Sequence, residues 1–326
     1  MNRQEFDAII VGAGPAGLTA GMYLARAKRQ ALIVNEGSVG GQMVLTHEIA
    51  NYPGVESITG YQLASIMRGQ AKKFGCEIKS NVTVTGLELS GDLKSVEVNG
   101  KERYVAPAII IAAGGKSRML GVPGEVELRG KGISYCATCD GDFFQDKDIV
   151  VVGGGNSALE EAVSLTKFAR TVTIIHQFDN FQAFPHAVEE ARRNPKIRFI
   201  MESTIHEFIG GESLERVKVK HLVSGDVTEM PIDGAFVFVG YVPNTGMLAD
   251  KVHLNEAGEI VVTNLLETSV EGVFAAGDAI QKRYRQITTA VADGTIAALT
   301  AIEFLRKREE QIKKAHDSAN VELLAV

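Results

Sequence analysis

Two segments of this chain repeat one design: an apolar strand runs into a glycine turn, then a helical stretch, then a second strand. In the first, FDAIIV enters Gly12-Ala-Gly14-Pro15-Ala16-Gly17 and is followed by LTAGMYLARAK and ALIVNE. The second, DIVVVGGGNSALEEAVSLTKFARTVTIIHQ, opens its turn at Gly153. Such a βαβ unit sets the N–H groups of a helix start against a phosphate and needs a parallel sheet to cover its helix. Two copies demand two dinucleotide-binding folds rather than one, and 326 residues give room for both.

After the second unit, KIRFIME, ERVKVKHLV and AFVFVGY read as further strands that complete a compact domain. VEGVFAAGD then ends another strand, and residues 286–308 read as a long helix rich in small residues. If that helix returns to the first domain, the second is an insertion, with crossings near Gly114-Gly115 and Asn244-Thr-Gly246, where glycine permits unusual backbone angles. The segment 309–326 reads as a charged or mobile tail.

In the first turn, Gly12 and Gly14 let backbone N–H groups approach a pyrophosphate, and Gly17 permits close packing of helix on strand. Glu36 ends the following strand, where an acid commonly binds the adenosine ribose. The second turn, Gly153-Gly154-Gly155-Asn156-Ser157-Ala158, carries alanine in the third position, a variant of the same fold. The bland alternative for either is a tight turn in a ligand-free domain.

Between the two turns lies Cys136-Ala137-Thr138-Cys139-Asp140. With only three cysteines, the chain has no disulfide framework, so this CxxC reads as redox or metal chemistry. Zinc would require two more soft ligands, and neither Cys76 nor the seven histidines offer a matching spacing, so no metal site is expected. Asp140 adjoins the second thiol, where it can supply or accept the proton that thiol–disulfide exchange moves. The net charge of −6 is mixed along the sequence, with no basic stripe for nucleic acid. The N-terminus lacks the h-region of a signal peptide, and no uninterrupted apolar run reaches the length of a membrane span. A soluble, cytoplasmic protein is expected.

CATCD with GGGNSALEEA downstream, GAGPAG at the start, GGQ at 40–42, NYPG at 51–54, GVFAAGD at 272–278 and YRQ at 284–286 together resemble the low-molecular-weight thioredoxin reductases over nearly the whole chain. The resemblance implies an α/β protein of two Rossmann-like domains in the three-layer FAD/NAD(P)-binding form, the nucleotide domain inserted in the FAD domain. An FAD domain of residues 1–116 and 247–326 and an NAD(P)H domain of 117–246 carrying the disulfide are expected. The resemblance assigns FAD to Gly12, Gly14, Pro15, Ala16, Gly17, Asn35, Glu36, Gly41, Gln42, Asn51, Val82, Gly114, Gly277, Asp278, Arg285, Gln286 and Ile287. It assigns the nicotinamide nucleotide to Gly153, Gly155, Asn156, Ser157, Ala158, His176 and Gln177. Cys136 would attack the disulfide of thioredoxin or a similar protein, Cys139 would exchange electrons with the flavin, and Asp140 would act as acid and base. A homodimer and a rotation of the inserted domain are further implications.

The sequence departs from the family in one place that bears on the electron donor. Its HRRxxxR segment, whose arginines clamp the 2′-phosphate of NADPH, stands here as HQFDNFQ, with Gln177, Phe178 and Gln182 in the arginine positions. Each charge-assisted hydrogen bond lost is worth roughly 1.5–3 kcal/mol, about tenfold or more in affinity. NADH is therefore favoured over NADPH. The same output fed by reduced ferredoxin or a deazaflavin, a flavin dithiol oxidase using oxygen, and a non-enzymatic redox sensor are the alternatives.

Overall fold

The runs Ala8–Val11, Ala31–Asn35 and Ala108–Ile111 are buried at every position, which a strand achieves only when both faces of its sheet are covered. They pair in parallel in the order Val273–Ala275, Ala108–Ile111, Ala8–Val11, Ala31–Asn35, Glu77–Ser80. The computed structural model describes residues 2–46 and 48–324. Along them run helices α1 (Pro15–Arg26), α2 (Gly60–Lys73), α3 (Ala137–Asp140), α4 (Asn156–Leu165), α5 (Pro185–Arg193) and α6 (Ile287–Leu324).

Small residues let α6 lie close on α1: a Cβ built at Gly294 would stand 2.2 Å from the carbonyl oxygen of Ala16. Ala290, Ala297, Ala298, Ala301 and Leu305 are buried in the same core. By length and composition alone, Ile287–Asp317 could cross a membrane; part of its apolar surface packs on α1 and the sheet, while Ile296, Leu299 and Ile312 are exposed. A mixed sheet adds a further layer: Asn2–Glu5 runs parallel to Glu102–Ala106, and Lys94–Val98 and Val84–Glu88 continue it antiparallel, with Val84, Val96, Val98 and Tyr104 joining that core.

The second unit builds its parallel sheet in the order Ile133–Ser134, Gly234–Val237, Asp148–Val152, Thr171–Ile175, Ile197–Ile200. Alternation sorts its side chains. Ile149, Val151, Val172 and Ile174 meet Ala158, Leu159 and Ala162 of α4 and Ala187 and Ala191 of α5. Val150, Val152, Ile175, Ala235 and Val237 meet Ile205, Phe208, Val217 and Val219 of an antiparallel sheet, Ser203–Gly210, Leu214–His221 and Val227–Pro231.

The chain divides into two compact units: residues up to Lys116 with those from Val242 onward, and Ser117–Tyr241. The second boundary lies earlier than the 246/247 crossing expected from glycine placement. Asn244 explains the difference, since its N–H donates to Gly114 O and its side-chain amide to Ala113 O, both at 2.9 Å. The two crossings, Gly115–Ser117 and Tyr241–Pro243, pair as a two-stranded sheet. The long final helix also differs from expectation. It does not stop at 308 but continues through the charged segment to Leu324, with residues 309–317 exposed and Arg29 paired to Glu309. The last two residues of the expected tail lie outside the described residues.

Candidate active site

The edge strand Ile133–Ser134 is held to Ala235 and Phe236 and delivers the chain directly into the CATCD segment. Cys136 and Cys139 form a disulfide, with Cα atoms 5.3 Å apart. Cys136 caps α3: its Sγ accepts a hydrogen bond from the Cys139 N–H at 3.2 Å. That N–H would favour the thiolate of Cys136 once the disulfide opens, because hydrogen bonds to the charged form stabilise it. The Cys136 carbonyl also accepts from the N–H groups of Cys139 and Asp140, at 3.3 and 3.2 Å.

Asp140 closes this turn. Burial pushes its carboxyl above the usual carboxylate range, the hydrogen bond with Ser134 pulls it back, and Asp142 adds to the rise. A carboxyl raised in this way beside a disulfide can hand a proton to a departing thiolate and take one back. The CATCD motif did not reveal Ser134. Its hydroxyl meets Asp140 Oδ2, lies 3.3 Å from the Cys136 carbonyl oxygen and accepts from the Cys136 N–H at 3.1 Å. The only signal available beforehand was a hydroxyl residue two positions before the first cysteine.

At the second glycine turn, Gly153 takes φ of +140° and a Cβ there would sit 2.3 Å from Phe238 O. Gly155 caps α4 with no side-chain partner, so the helix start is left to an external acceptor. Ala158 is fully buried beneath the turn, Ser157 is exposed, and Asn156 accepts from the Phe184 N–H at 2.7 Å through its Oδ1. His176 is buried against Gly154, bonded through Nε2 to Asn180 O at 3.0 Å and stacked on Phe181. Burial lowers its pKa. Gln177 and Phe178 are exposed, and the Gln182 amide is turned onto Asn180. Residues 176–184 contain no lysine or arginine.

At the first turn, Gly12 takes φ of +110°, and a Cβ there would meet Ala112 O at 2.2 Å. A Cβ on Gly17 would stand 1.9 Å from Gly12 O, so helix and strand touch through backbone. Gly14 caps α1 without a side-chain partner, with Pro15 opening the helix. Gly41 faces it, and a Cβ on Gly41 would lie 3.1 Å from the Gly14 Cα. Two glycines meeting across a helix start leave the kind of cradle a diphosphate needs. Gly277, at φ +77°, presses on Ala16, bringing Asp278 to the same place. Burial raises the Asp278 carboxyl, while Lys282 and Arg285 work against that rise.

Protein partners engage several of the other expected positions. Asn35 accepts from the Ala13 N–H at 2.8 Å and donates to the carbonyls of Glu36, Gly37 and Ser38, so it shapes the loop. Glu36 is exposed and accepts from the Val84 N–H, and the Val82 N–H donates to Asn35 O. Gln42 and Asn51 are exposed, and Gly114 takes φ of +59°. Arg285 is paired with Glu259, while Gln286 and Ile287 open α6. Asp293, which sequence reasoning passed over, holds both the Gly277 N–H and Lys282. Among the described residues no group of His, Cys, Asp and Glu is arranged to hold a metal ion.

The chain belongs to the pyridine nucleotide-disulphide oxidoreductases, whose family model matches residues 6–294. It is 45% identical over 313 residues to the thioredoxin reductase of Peptoclostridium acidaminophilum, covering 94% of this chain and 99% of that one. It is 43% identical over 320 residues to the thioredoxin reductase of Bacillus subtilis (strain 168), covering 94% and 97%. The crystal structure of thioredoxin reductase from Streptococcus pyogenes MGAS5005 superimposes with a TM-score of 0.90 at 41% identity, covering 94% of this chain and 100% of that chain. Within the class, this is a flavoprotein disulfide reductase of the low-molecular-weight thioredoxin reductase type.

Proposed function

We propose that this chain reduces thioredoxin through Cys136 and Cys139 with hydride drawn from NADH in preference to NADPH. The observation that carries the donor assignment is the segment 176–184: it presents glutamine, phenylalanine and an acidic Asp179 where a 2′-phosphate would need a cation, and its one imidazole is buried. The uncapped helix start at Gly155 and the close Gly153 turn support retention of a nicotinamide nucleotide.

Gly12, Gly14, Gly17 and Gly41 would hold the pyrophosphate of FAD, with Asp278 beside it and the 285–287 segment nearby in sequence. Bound FAD supplies two-electron transfer between a hydride donor and a disulfide. The residues of the chain do the rest. As the S–S bond opens, Cys139 and Cys136 take the electron pair as sulfur charge, and Asp140 delivers a proton to one sulfur. Solvent supplies the second proton. Cys136 gives its proton to solvent, and its thiolate, favoured by the Cys139 N–H, attacks a thioredoxin disulfide and expels one thioredoxin thiolate. Cys139, giving its proton to Asp140, then attacks the Cys136 sulfur of the mixed disulfide, re-forms the Cys136–Cys139 bond and expels the second thioredoxin thiolate, and solvent protonates both thioredoxin sulfurs.

Anaerobic stopped-flow mixing of the FAD-loaded protein with each nucleotide tests the donor. NADH should bleach the flavin at concentrations at least tenfold below those NADPH requires. Bleaching by NADPH at the lower concentration overturns the assignment. Bleaching by neither, in a protein that still passes electrons from dithionite to thioredoxin, moves the donor to reduced ferredoxin or a deazaflavin.

A further inference from the structure

The Ser134 hydroxyl has one hydrogen and two acceptors within reach, the Asp140 carboxylate and the Cys136 carbonyl at 3.3 Å. It is buried, so water does not settle the choice. We propose that Ser134 is a positioning residue that couples the state of the Asp140 carboxyl to the backbone of the CATCD turn. With Asp140 neutral, the carboxyl O–H donates to Ser134 Oγ, and the serine hydrogen points at the Cys136 carbonyl. Once Asp140 has given its proton to a thiolate, the serine hydrogen turns to the carboxylate and leaves that carbonyl to the N–H groups of Cys139 and Asp140. No bond to Ser134 is made or broken; one hydroxyl rotates. The Cys136 N–H donates to Ser134 Oγ throughout, which keeps the oxygen in place.

This proposal rests on the reading of Cys136 and Cys139 as the working disulfide. The charged groups around Asp140 are few. The turn after α3 brings Asp142, which acts on it directly. Helix α4, packed on α3, brings Glu161, which burial and then the neighbouring Glu160 push above the usual carboxylate range. The strand Gly234–Val237 beside Ser134 has no titratable side chain.

The test is a pH titration of Asp140 in the FAD-loaded protein, read from the carboxylic-acid C=O infrared band that Asp140→Asn removes. Losing a donor to a carboxylate raises its pKa. Ser134→Ala should therefore move the midpoint upward by about one pH unit, and Ser134→Thr, which keeps the hydroxyl, should restore it. An unchanged midpoint in Ser134→Ala, or an Ala-like shift in Ser134→Thr, overturns the proposal. Should Ser134→Ala fail to fold, Ser134→Cys, near-isosteric with a weak donor, takes its place with the same expected direction, and no shift again overturns it. Thioredoxin reduction is measured alongside. A midpoint that moves in a protein unable to reduce thioredoxin supports Ser134 and defeats the functional reading; active protein with an unmoved midpoint does the reverse.

Discussion

Gly154→Ala is a steric test of the second glycine turn, because the position does not require positive φ and only space is at stake. A Cβ there would stand 2.3 Å from Cε1 and Nδ1 of His176 and 2.5 Å from its Cγ. Contacts so short cannot be absorbed by small shifts, and the ring is pinned by Phe181 on its face and by Asn180 O at 3.0 Å. Displacing it forfeits a hydrogen bond of about 1 kcal/mol and an aromatic contact of about 0.5–1.5 kcal/mol. Residual overpacking adds about 1–3 kcal/mol. The substitution should destabilise Ser117–Tyr241 by about 2.5–5.5 kcal/mol, at the upper end of what single core substitutions cost. Because the chain has two compact units, the assay is native-state hydrogen exchange at the amides of Asp148–Val152 and Thr171–Ile175. A His176→Ala background removes the obstructing ring, so the same Gly154→Ala change should then lose most of its effect. Full destabilisation in both backgrounds, or none in either, refutes the steric account.

Gly12→Ala should cost the protein its flavin, since φ of +110° and a Cβ 2.2 Å from Ala112 O both oppose it; a purified variant retaining yellow colour contradicts this. Cys76 is buried with its thiol pushed up to about 12, so in native, reduced protein at pH 8 iodoacetamide should label Cys136 and Cys139 and spare Cys76, as mass spectrometry will show. The hydrogen bond from Arg170 holds Asp148 down at about 2, against 3.8 ordinarily. A depressed folded-state pKa contributes stability that is present above the unfolded value and lost as pH falls through the folded one. Asp148→Asn should thus lower stability near neutrality, and the difference from wild type should vanish between about pH 4 and pH 2 in urea titrations.

The elements legible from the sequence are those whose constraint is local. Gly12 and Gly153 are held to glycine by positive φ and by backbone oxygens that a Cβ would overlap at 2.2 and 2.3 Å, and such spacing survives in the text of the chain. The CxxC pair is similarly compact, and its adjoining acid stands beside it. Other features depend on contacts that spacing does not encode. Ser203–Gly210 carries register shifts after Ile205 and Ile209 that break its alternation, and Val227–Pro231 is largely exposed, so neither strand stood out. The hydrogen bonds of the Asn35 amide to four backbone groups shape a loop that sequence spacing does not describe. Asp293 reaches Gly277 and Lys282 across the turn that leads into α6, a contact that no motif spacing announces. Residues 309–317 of α6 are exposed and offer no buried face to announce them; Arg29 and Glu309 join residues from distant parts of the chain.

The discontinuity of the first unit sets an order of events during synthesis. The strand Ala108–Ile111 leaves the ribosome long before its neighbour Val273–Ala275, and α1 before the α6 residues that cover it. Ser117–Tyr241, by contrast, holds all its own strands in one stretch. At roughly 5–20 residues per second, the inserted unit can be complete seconds before the unit that surrounds it. The half-built sheet must wait through that interval with apolar strands uncovered, so chaperone dependence should concentrate in the segment synthesised first.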